Sequence, residues 1–165
     1  RLKWALRTCC AITSQKWLKC ALLPPNTPVS AADLARIHRS AFVNARPWSE
    51  DEFQHLMTQP GVHVSAVHGC FAMGRLVLDE VEILVVACAV EAQRQGLARQ
   101  MMLALIEASA ALGARSVFLE VAADNAPALG LYRSLEFEHV GRRKRYYQRR
   151  GGTKCDALIF RNLLT

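Results

Sequence analysis

The order of apolar segments along the chain predicts an α/β domain built on a mixed, mostly antiparallel sheet. Two observations lead to this prediction. Three short strand-like segments, at 63–67, 71–78 and 82–90, follow one another through short turns and are therefore expected to be antiparallel neighbours. A long helical segment at about 96–112 then separates two apolar strands, as a parallel crossover requires. In total the pattern predicts about seven strands flanked by about four helices.

The elements before these three strands have clear start and stop signals. They are a strand at 17–23 that Pro24-Pro25 ends, and two helices that begin at Ser30 and Ser49. An acidic residue stands three positions after each serine, Asp33 and Glu52, which is the pattern of a capping box. Asp79-Glu80 is the predicted turn between the last two of the three strands.

The second half of the chain alternates strands and helices. Apolar residues at helical spacing continue the long helix to Leu112, and Gly113 ends it. The remaining predicted elements are a buried strand at 116–121, a short helix at 126–135 and a closing pair of strands at 137–145 and 157–163.

Composition indicates one globular domain. The chain has 165 residues, of which 52% are hydrophobic, and charged residues interrupt every apolar stretch long enough to span a membrane.

Residues 1–15 form a basic leader, without acidic residues, that resembles either a transit peptide or a poorly ordered segment, and residues 16–165 form the domain. The net charge of +7 fits an anionic cofactor, an acidic peptide or RNA, and does not choose among them.

The six cysteines form no C-x-x-C pair and are expected to be small core residues with free thiols. Free thiols indicate a reducing compartment, so a cytoplasmic protein is predicted. The spacing of cysteine and histidine matches no four-ligand metal site, and no metal is predicted.

The segment Gln93–Arg99 joins the last of the three strands to the long helix. A strand, a small-residue turn and a helix direct free backbone N–H groups and the positive end of a helix dipole at one spot outside the sheet. An anion is expected there, with phosphate as the first candidate. The segment has a single glycine, Gly96, and therefore matches neither a dinucleotide-binding fingerprint nor a Walker loop.

Glu120 interrupts the apolar run of the strand at 116–121, and the residues alone allow two interpretations. The side chain either faces solvent on one side of the strand or is a general base at the mouth of the sheet, where burial would strengthen it as a base. Two interpretations also remain for the next helix: Asp124 or Asn125 is a simple N-cap, or Asn125 shares a cleft with Tyr132, two turns later. Tyr132 itself could equally be a buried core tyrosine.

These motifs resemble one family. The run Q-x-x-G-x-A at 93–98 resembles the pyrophosphate turn of the GNAT acetyltransferases. The runs L-E-V at 119–121, A-L-G-L-Y-R-S-L-E-F at 128–137 and R-R-K-R-Y-Y at 142–147 are similar to the ribosomal-protein-alanine N-acetyltransferase branch of that family, as are R-P-W-S at 46–49 and L-D-E at 78–80. The resemblance covers roughly residues 28 to 163.

The resemblance implies a GNAT fold and acetyl-CoA as cosubstrate. It assigns cofactor binding to the strand residues Val86, Ala87 and Cys88, to the turn residues Arg94, Gln95, Gly96, Leu97, Ala98 and Arg99, and to Asn125. Glu120 is the implied base for the acceptor amine, and Tyr132 is the implied acid for the departing thiolate. Trp48, Tyr146 and Tyr147 are expected to border the acceptor groove.

The implied acceptor is the N-terminal α-amine of a protein, with a ribosomal protein as one candidate. Three departures from the family pattern bear on activity. Ala98 replaces a second glycine, Cys88–Glu91 replaces a more typical Val-Asp/His-Pro-Glu/Asp run, and Glu136 replaces a glycine. Several such changes together would give a slow or inactive homologue.

The basic tract Arg142–Arg150 carries an alternative. Its arginines and two tyrosines would suit RNA, whereas a solvated hairpin edge would have the same composition. An RNA-binding module without catalysis is therefore one rival to the enzyme, and a small-molecule amine or lysine acetyltransferase of the same fold is another. Contact with nucleic acid is otherwise expected only through proximity to the ribosome, and no membrane partner is expected.

Overall fold

The computed structural model describes residues 29–42, 46–149 and 152–164. The predicted leader at 1–15 and the predicted strand at 17–23 lie outside the described residues. The helices are α1 (Ala31–Ala41), α2 (Glu50–Met57), α3 (Leu97–Ala111) and α4 (Ala126–Ser134), with a single 3₁₀ turn at Val90–Ala92. The strands are β1 (Val62–Val67), β2 (Cys70–Val77), β3 (Glu80–Cys88), β4 (Ser116–Ala122), β5 (Glu138–Gln148) and β6 (Lys154–Leu163).

The strands form one six-stranded sheet in the order β1-β2-β3-β4-β6-β5. Only β3 and β4 are parallel, and every other neighbouring pair is antiparallel, so the predicted mixed and mostly antiparallel sheet is confirmed. The described residues contain six strands where the sequence predicts about seven. The turn between β2 and β3 is one residue earlier than predicted, because Leu78 adopts a positive φ of 57° and β3 already begins at Glu80.

Both predicted capping boxes are present. The Ser30 hydroxyl accepts from the Asp33 N–H at 3.1 Å, and the Ser49 hydroxyl accepts from the Glu52 N–H at 3.2 Å. Each acidic side chain in turn accepts from the N–H of its serine. These reciprocal bonds satisfy N–H groups that have no partner within the helix, which is why both helices begin where the sequence predicts.

Helices cover both faces of the sheet, and neighbouring residues of β2 show how. Phe71 and Met73 pack in a core with α1 and α2, whereas Cys70 and Ala72 pack in a second core with α3 and α4. The alternation follows from the two-residue period of a strand. In the described part of the chain, no helix has both the length and the hydropathy to cross a bilayer.

A β-bulge lies in the middle of β3. Met73 pairs with Val85 and Gly74 pairs with Ile83, so Leu84 has no opposite residue in β2. The extra residue reverses which face of the sheet the following side chains point to. Ile83 packs with α3 and α4, whereas Val85, two residues later, packs with α1 and α2. The bulge leaves Leu84 outside the ladder at the centre of the sheet.

Two cysteines depart from the expectation of free thiols. Cys70 and Cys88 are opposite each other in β2 and β3, with Cα atoms 4.1 Å apart, and form a disulfide. The pairing depends on strand register, which cysteine spacing along the chain does not show. It also removes these two residues from the case for a reducing compartment. Cys155 is a free cysteine.

His38 is buried within an aromatic cluster. Its ring stacks on Phe42 and Trp48, with centroid distances of 4.1 and 5.4 Å, and meets the edge of Phe53. Its Nδ1 atom accepts a hydrogen bond from the Trp48 N–H at 3.2 Å, which requires an unprotonated Nδ1. Burial lowers the pKa of His38 from its ordinary value to about 4.

We expect His38 to make the protein sensitive to acid. An unfolded histidine binds a proton below about pH 6.5, whereas the folded one resists protonation until about pH 4, so stability falls as pH decreases through this window. Between pH 7.5 and pH 5 the free energy of unfolding should fall by about 2 kcal/mol through this residue. Urea denaturation of His38→Asn, which keeps an acceptor but does not titrate, should show a smaller loss. A control variant, His68→Gln, at an exposed position, should behave like the wild type; equal losses in all three proteins would contradict the assignment.

Candidate active site

The sheet opens into a fork at its centre. The segment Glu80–Ile83 of β3 pairs with the segment Ser116–Leu119 of β4. Beyond these segments the two strands are not paired with each other, although β3 continues to Cys88 and β4 to Ala122. The separation begins next to the Leu84 bulge, which the sequence analysis missed because a bulge has no distinctive residue type here. Beyond it, the predicted cofactor residues Val86, Ala87 and Cys88 pair with β2 on one side and, among the described residues, with no strand on the side of β4.

The turn between β3 and α3 has the shape expected of an anion site. Arg94 and Gly96 both have positive φ, 60° and 79°, and Gly96 is the N-cap of α3. The first bond within the helix runs from the Gln100 N–H to the Gly96 carbonyl, so the N–H groups of Leu97, Ala98 and Arg99 have no acceptor in the helix. These groups and the helix dipole favour a negative charge at the entrance of the fork.

Side-chain amides of two glutamines stabilise this turn. The Gln93 side chain donates to the Cys88 carbonyl at 3.1 Å, and the Gln95 side chain donates to the Glu91 carbonyl at 2.9 Å. The backbone from the end of β3 to the start of α3 is therefore organised before any ligand binds, which reduces the entropy lost on binding.

Glu120 lies on β4 directly after Leu119, the last residue paired with β3, and thus at the base of the fork. Its side chain is 23% exposed, which is neither the fully solvated nor the buried state that the sequence allowed. Arg143 on β5 is its partner, with 3.1 Å between Nε and Oε1. The carboxylate is therefore stabilised by an ion pair at the surface of the fork.

Asn125 and Asp124 have separate roles. Asn125 is the N-cap of α4, where its side-chain oxygen accepts from the Ala128 N–H at 3.3 Å. This contact leaves the amide N–H groups of Asn125 available as donors, so the capping role and a ligand-binding role are compatible. Asp124 instead pairs with Arg149, the residue directly after β5.

Tyr132 lies on the buried face of α4, with its ring beside Phe137 and Phe160. Burial, and to a smaller extent the nearby Tyr147, raises the pKa of Tyr132 to about 12. The hydroxyl therefore stays protonated at any pH at which the protein would be assayed.

The β5–β6 hairpin borders the fork on the side of β4. The Tyr147 hydroxyl donates to the Glu120 carbonyl at 3.4 Å, and the adjacent Tyr146 is half-exposed. β5 extends to Gln148, further than predicted, because two extra residues bulge out between Arg143 and Tyr147. The Asp156 carboxylate holds this bulge by accepting from the Arg145 N–H and the Arg142 guanidinium.

The arginines of the basic tract are largely committed to ion pairs. Arg142, Arg143 and Arg149 pair with Asp156, Glu120 and Asp124, respectively. The Arg142 pair lies within the hairpin, and the other two join the hairpin to β4 and to the loop before α4. They account for arginines that the sequence analysis assigned either to RNA or to a solvated edge.

Trp48 is on the other side of the fork. The α1 helix is tied to the end of β3, since the Ser40 hydroxyl accepts from the Val90 N–H at 3.2 Å, and Trp48 packs against His38 at the end of the same helix. Among the described residues, no hydrogen bond or aromatic contact joins Trp48 to Tyr146 or Tyr147.

In the part of the chain that the structure describes, no group of three or more His, Cys, Asp or Glu side chains could hold a metal ion.

Comparisons with known proteins agree with this geometry. A sequence profile of the Acetyltransferase (GNAT) family matches residues 31–137. The [Ribosomal protein bS18]-alanine N-acetyltransferase of Escherichia coli K12 is 33% identical over 129 residues, which are 76% of this chain and 86% of the relative. The N-alpha-acetyltransferase RimI of Mycobacterium tuberculosis is 29% identical over 74% of this chain and 81% of its own length.

Solved structures have the same fold. The crystal structure of the ribosomal-protein-S18-alanine N-acetyltransferase from E. coli has a TM-score of 0.72 and 32% identity, and the match covers 83% of this chain and 91% of that one. Arabidopsis thaliana NAA60 in complex with acetyl-CoA has a TM-score of 0.71 at 21% identity, over 86% of this chain and 97% of that one, and supports the fold alone.

Proposed function

The chain belongs to the GNAT family of acetyltransferases and is an acyltransferase, and from this premise we propose that it moves an acetyl group from acetyl-CoA to the N-terminal α-amine of a protein. The observation that carries the proposal is the fork between β3 and β4, with an anion-binding turn at one wall and Glu120 at its base. Relatives named as a ribosomal-protein-alanine N-acetyltransferase and as an N-alpha-acetyltransferase support the choice of acceptor.

The fork fits the extended arm of acetyl-CoA. The free edge of β3 at Val86–Cys88 offers backbone groups to the amides of the pantetheine arm, as an added strand would. The turn at Arg94–Arg99 receives the pyrophosphate on backbone N–H groups, and the Asn125 amide donates to the arm from the opposite wall.

The chemistry needs one base and one acid. The acceptor nitrogen bonds to the acetyl carbon, Glu120 takes a proton from that nitrogen, and the C–S bond breaks as Tyr132 gives its phenolic proton to the departing sulfur. We place the carbonyl oxygen of the thioester beside the Leu84 bulge, where a backbone N–H group would stabilise the charge that develops on it. Direct attack requires no covalent intermediate on the protein, because holding amine and thioester together supplies much of the rate.

The α-amine is a better acceptor than a lysine for such a base. Its pKa is about 7.7–8.0, against about 10.4 for lysine, so much less deprotonation is needed near neutral pH. Acceptors of this class include ribosomal proteins, which are the named substrates of the relatives, and we place the reaction in the cytoplasm, where ribosomes are assembled. The paired arginines of β5 leave less charge for phosphates and favour the enzyme over an RNA-binding module.

Two matched peptides test the proposal, one with a free N-terminus and one with a blocked N-terminus, each carrying an internal lysine. With acetyl-CoA present, mass spectrometry should show one added acetyl group on the free peptide and no change in the blocked one. Equal acetylation of the blocked peptide would instead identify a lysine acetyltransferase. Binding to RNA that weakens steeply with salt, without any acetyl transfer, would support the RNA-binding alternative.

A further inference from the structure

The carboxylate proposed as the base already has a cationic partner. Arg143 lies 3.1 Å from Glu120, and its guanidinium cannot lose its proton in a protein. The Arg143 side chain is 55% exposed, so solvent and an incoming acceptor can reach it. A second cation arriving at Glu120 would therefore have to compete with the first.

The other charges around Glu120 do not offset this competition. From β5, Arg143 and Tyr147 face it, and Tyr132 on α4 lies beside Tyr147. The nearby acids on the β4–α4 loop and on β6, Asp124 and Asp156, each have an arginine of their own. Lys144 and Arg145 add further positive charge to β5. Positive charges thus outnumber negative ones along this wall of the fork.

We infer that Arg143 is a specificity-determining residue that makes the site select the acceptor amine in its unprotonated form. The guanidinium lies beside Oε1 of Glu120 and repels an ammonium group there, whereas a neutral amine needs only a hydrogen-bond acceptor and can use the other carboxylate oxygen. The inference rests on the proposed function, in which Glu120 receives the acceptor amine. The proton balance is unchanged: the nitrogen loses its proton to Glu120 only as its bond to the acetyl carbon forms.

Selection of the neutral amine separates α-amines from lysines. At pH 7.5 about a third of α-amines are unprotonated, against about 0.1% of lysine side chains. The filter thus gives the α-amine an advantage of about 300-fold before any contact with the rest of the peptide. Arg143 would in this way contribute specificity for N-termini without touching the side chains of the acceptor.

Peptide binding to the enzyme in complex with coenzyme A tests the inference, because binding can be measured even in an inactive variant. We expect calorimetry with a peptide that begins with a free alanine to show about a 20-fold tighter dissociation constant at pH 8.5 than at pH 6.5 for the wild type. Arg143→Gln should reduce this ratio to less than about threefold, since ammonium can then reach Glu120. Arg143→Lys and Lys144→Gln, which keep a cation at position 143, should keep the steep dependence.

Each outcome decides the question. The same pH dependence in Arg143→Gln as in the wild type would overturn the inference, and so would complete loss of peptide binding in that variant while the acetyl-CoA shift of its melting temperature persists. If Arg143→Gln loses both peptide binding and the acetyl-CoA shift of its melting temperature, the variant is damaged as a whole. The pH dependence of peptide binding in Arg143→Lys then decides. Failure of the proposed function can be distinguished from failure of this inference. If the proposed function is wrong, the wild type acetylates no free N-terminus at any pH.

Discussion

Replacing Gly96 with valine should abolish the stabilisation of this protein by acetyl-CoA. Gly96 has a φ of 79°, a conformation that β-branched residues avoid, and it lies in the turn proposed to receive the pyrophosphate. At a concentration 100 times the dissociation constant, a ligand of the native state adds about 2.7 kcal/mol, which corresponds to roughly 5–10 °C in the melting temperature of a domain of this size. We expect this shift in the wild type and none in Gly96→Val, measured by thermal denaturation.

The chain offers a matched control at the other end of the same helix. Gly113 also has a positive φ, 96°, and open space where a Cβ atom would lie, but it is far from the fork. Gly113→Val should lower the melting temperature through comparable backbone strain and keep the full response to acetyl-CoA. If both variants respond equally, the cofactor does not bind at this turn.

Removing the base or the acid should reduce turnover strongly and in different ways. A positioned general base or acid contributes roughly 10²–10⁴-fold, so both Glu120→Gln and Tyr132→Phe should lower kcat within that range. The Glu120→Gln defect should persist at high pH, because Glu120 removes the proton that the bound neutral amine loses as its bond to the acetyl carbon forms. Because the pKa of Tyr132 is raised to about 12, the wild-type rate should show no alkaline decrease from this residue up to about pH 10.

Steady-state kinetics and thermal denaturation separate these effects from damage to the fold. Tyr132→Phe keeps the ring that packs on Phe137 and Phe160 and should leave acetyl-CoA affinity nearly unchanged. Glu107→Gln, on the exposed face of α3, is the control for loss of a carboxylate and should keep wild-type rates. Turnover at the wild-type rate in both site variants would remove Glu120 and Tyr132 from the mechanism.

Elements whose signals are local could be predicted well. Ser30 and Ser49 start α1 and α2 because each cap needs only residues within one turn, and Gly113 ends α3 for the same reason. The shape of the turn before α3 was also predictable, since a short run of residues dictates both the positive φ of Gly96 and the free N–H groups after it. Local chemistry of this kind is complete in the sequence.

Features that depend on register or on distant partners could not be predicted. The Leu84 bulge and the Cys70–Cys88 bond follow from how β2 and β3 align, and no single residue of either strand determines that alignment. The contact of Glu120 with Arg143 spans two elements separated by a helix. Sequence patterns therefore predict which residues form the candidate site, while the ion pairs and the exposure of those residues required the structure.

The fork also divides the sheet mechanically. One half is β1-β2-β3, the other is β4-β6-β5, and the only ladder between the halves in the described residues is the short run from Glu80 to Ile83 against Ser116 to Leu119. The extended arm of a cosubstrate lying between the free edges would hydrogen-bond to both halves and complete the sheet. Because a shared hydrophobic core already joins the halves, the arm would add a second connection, and its binding should slow amide-proton exchange in the strands on both sides of the fork.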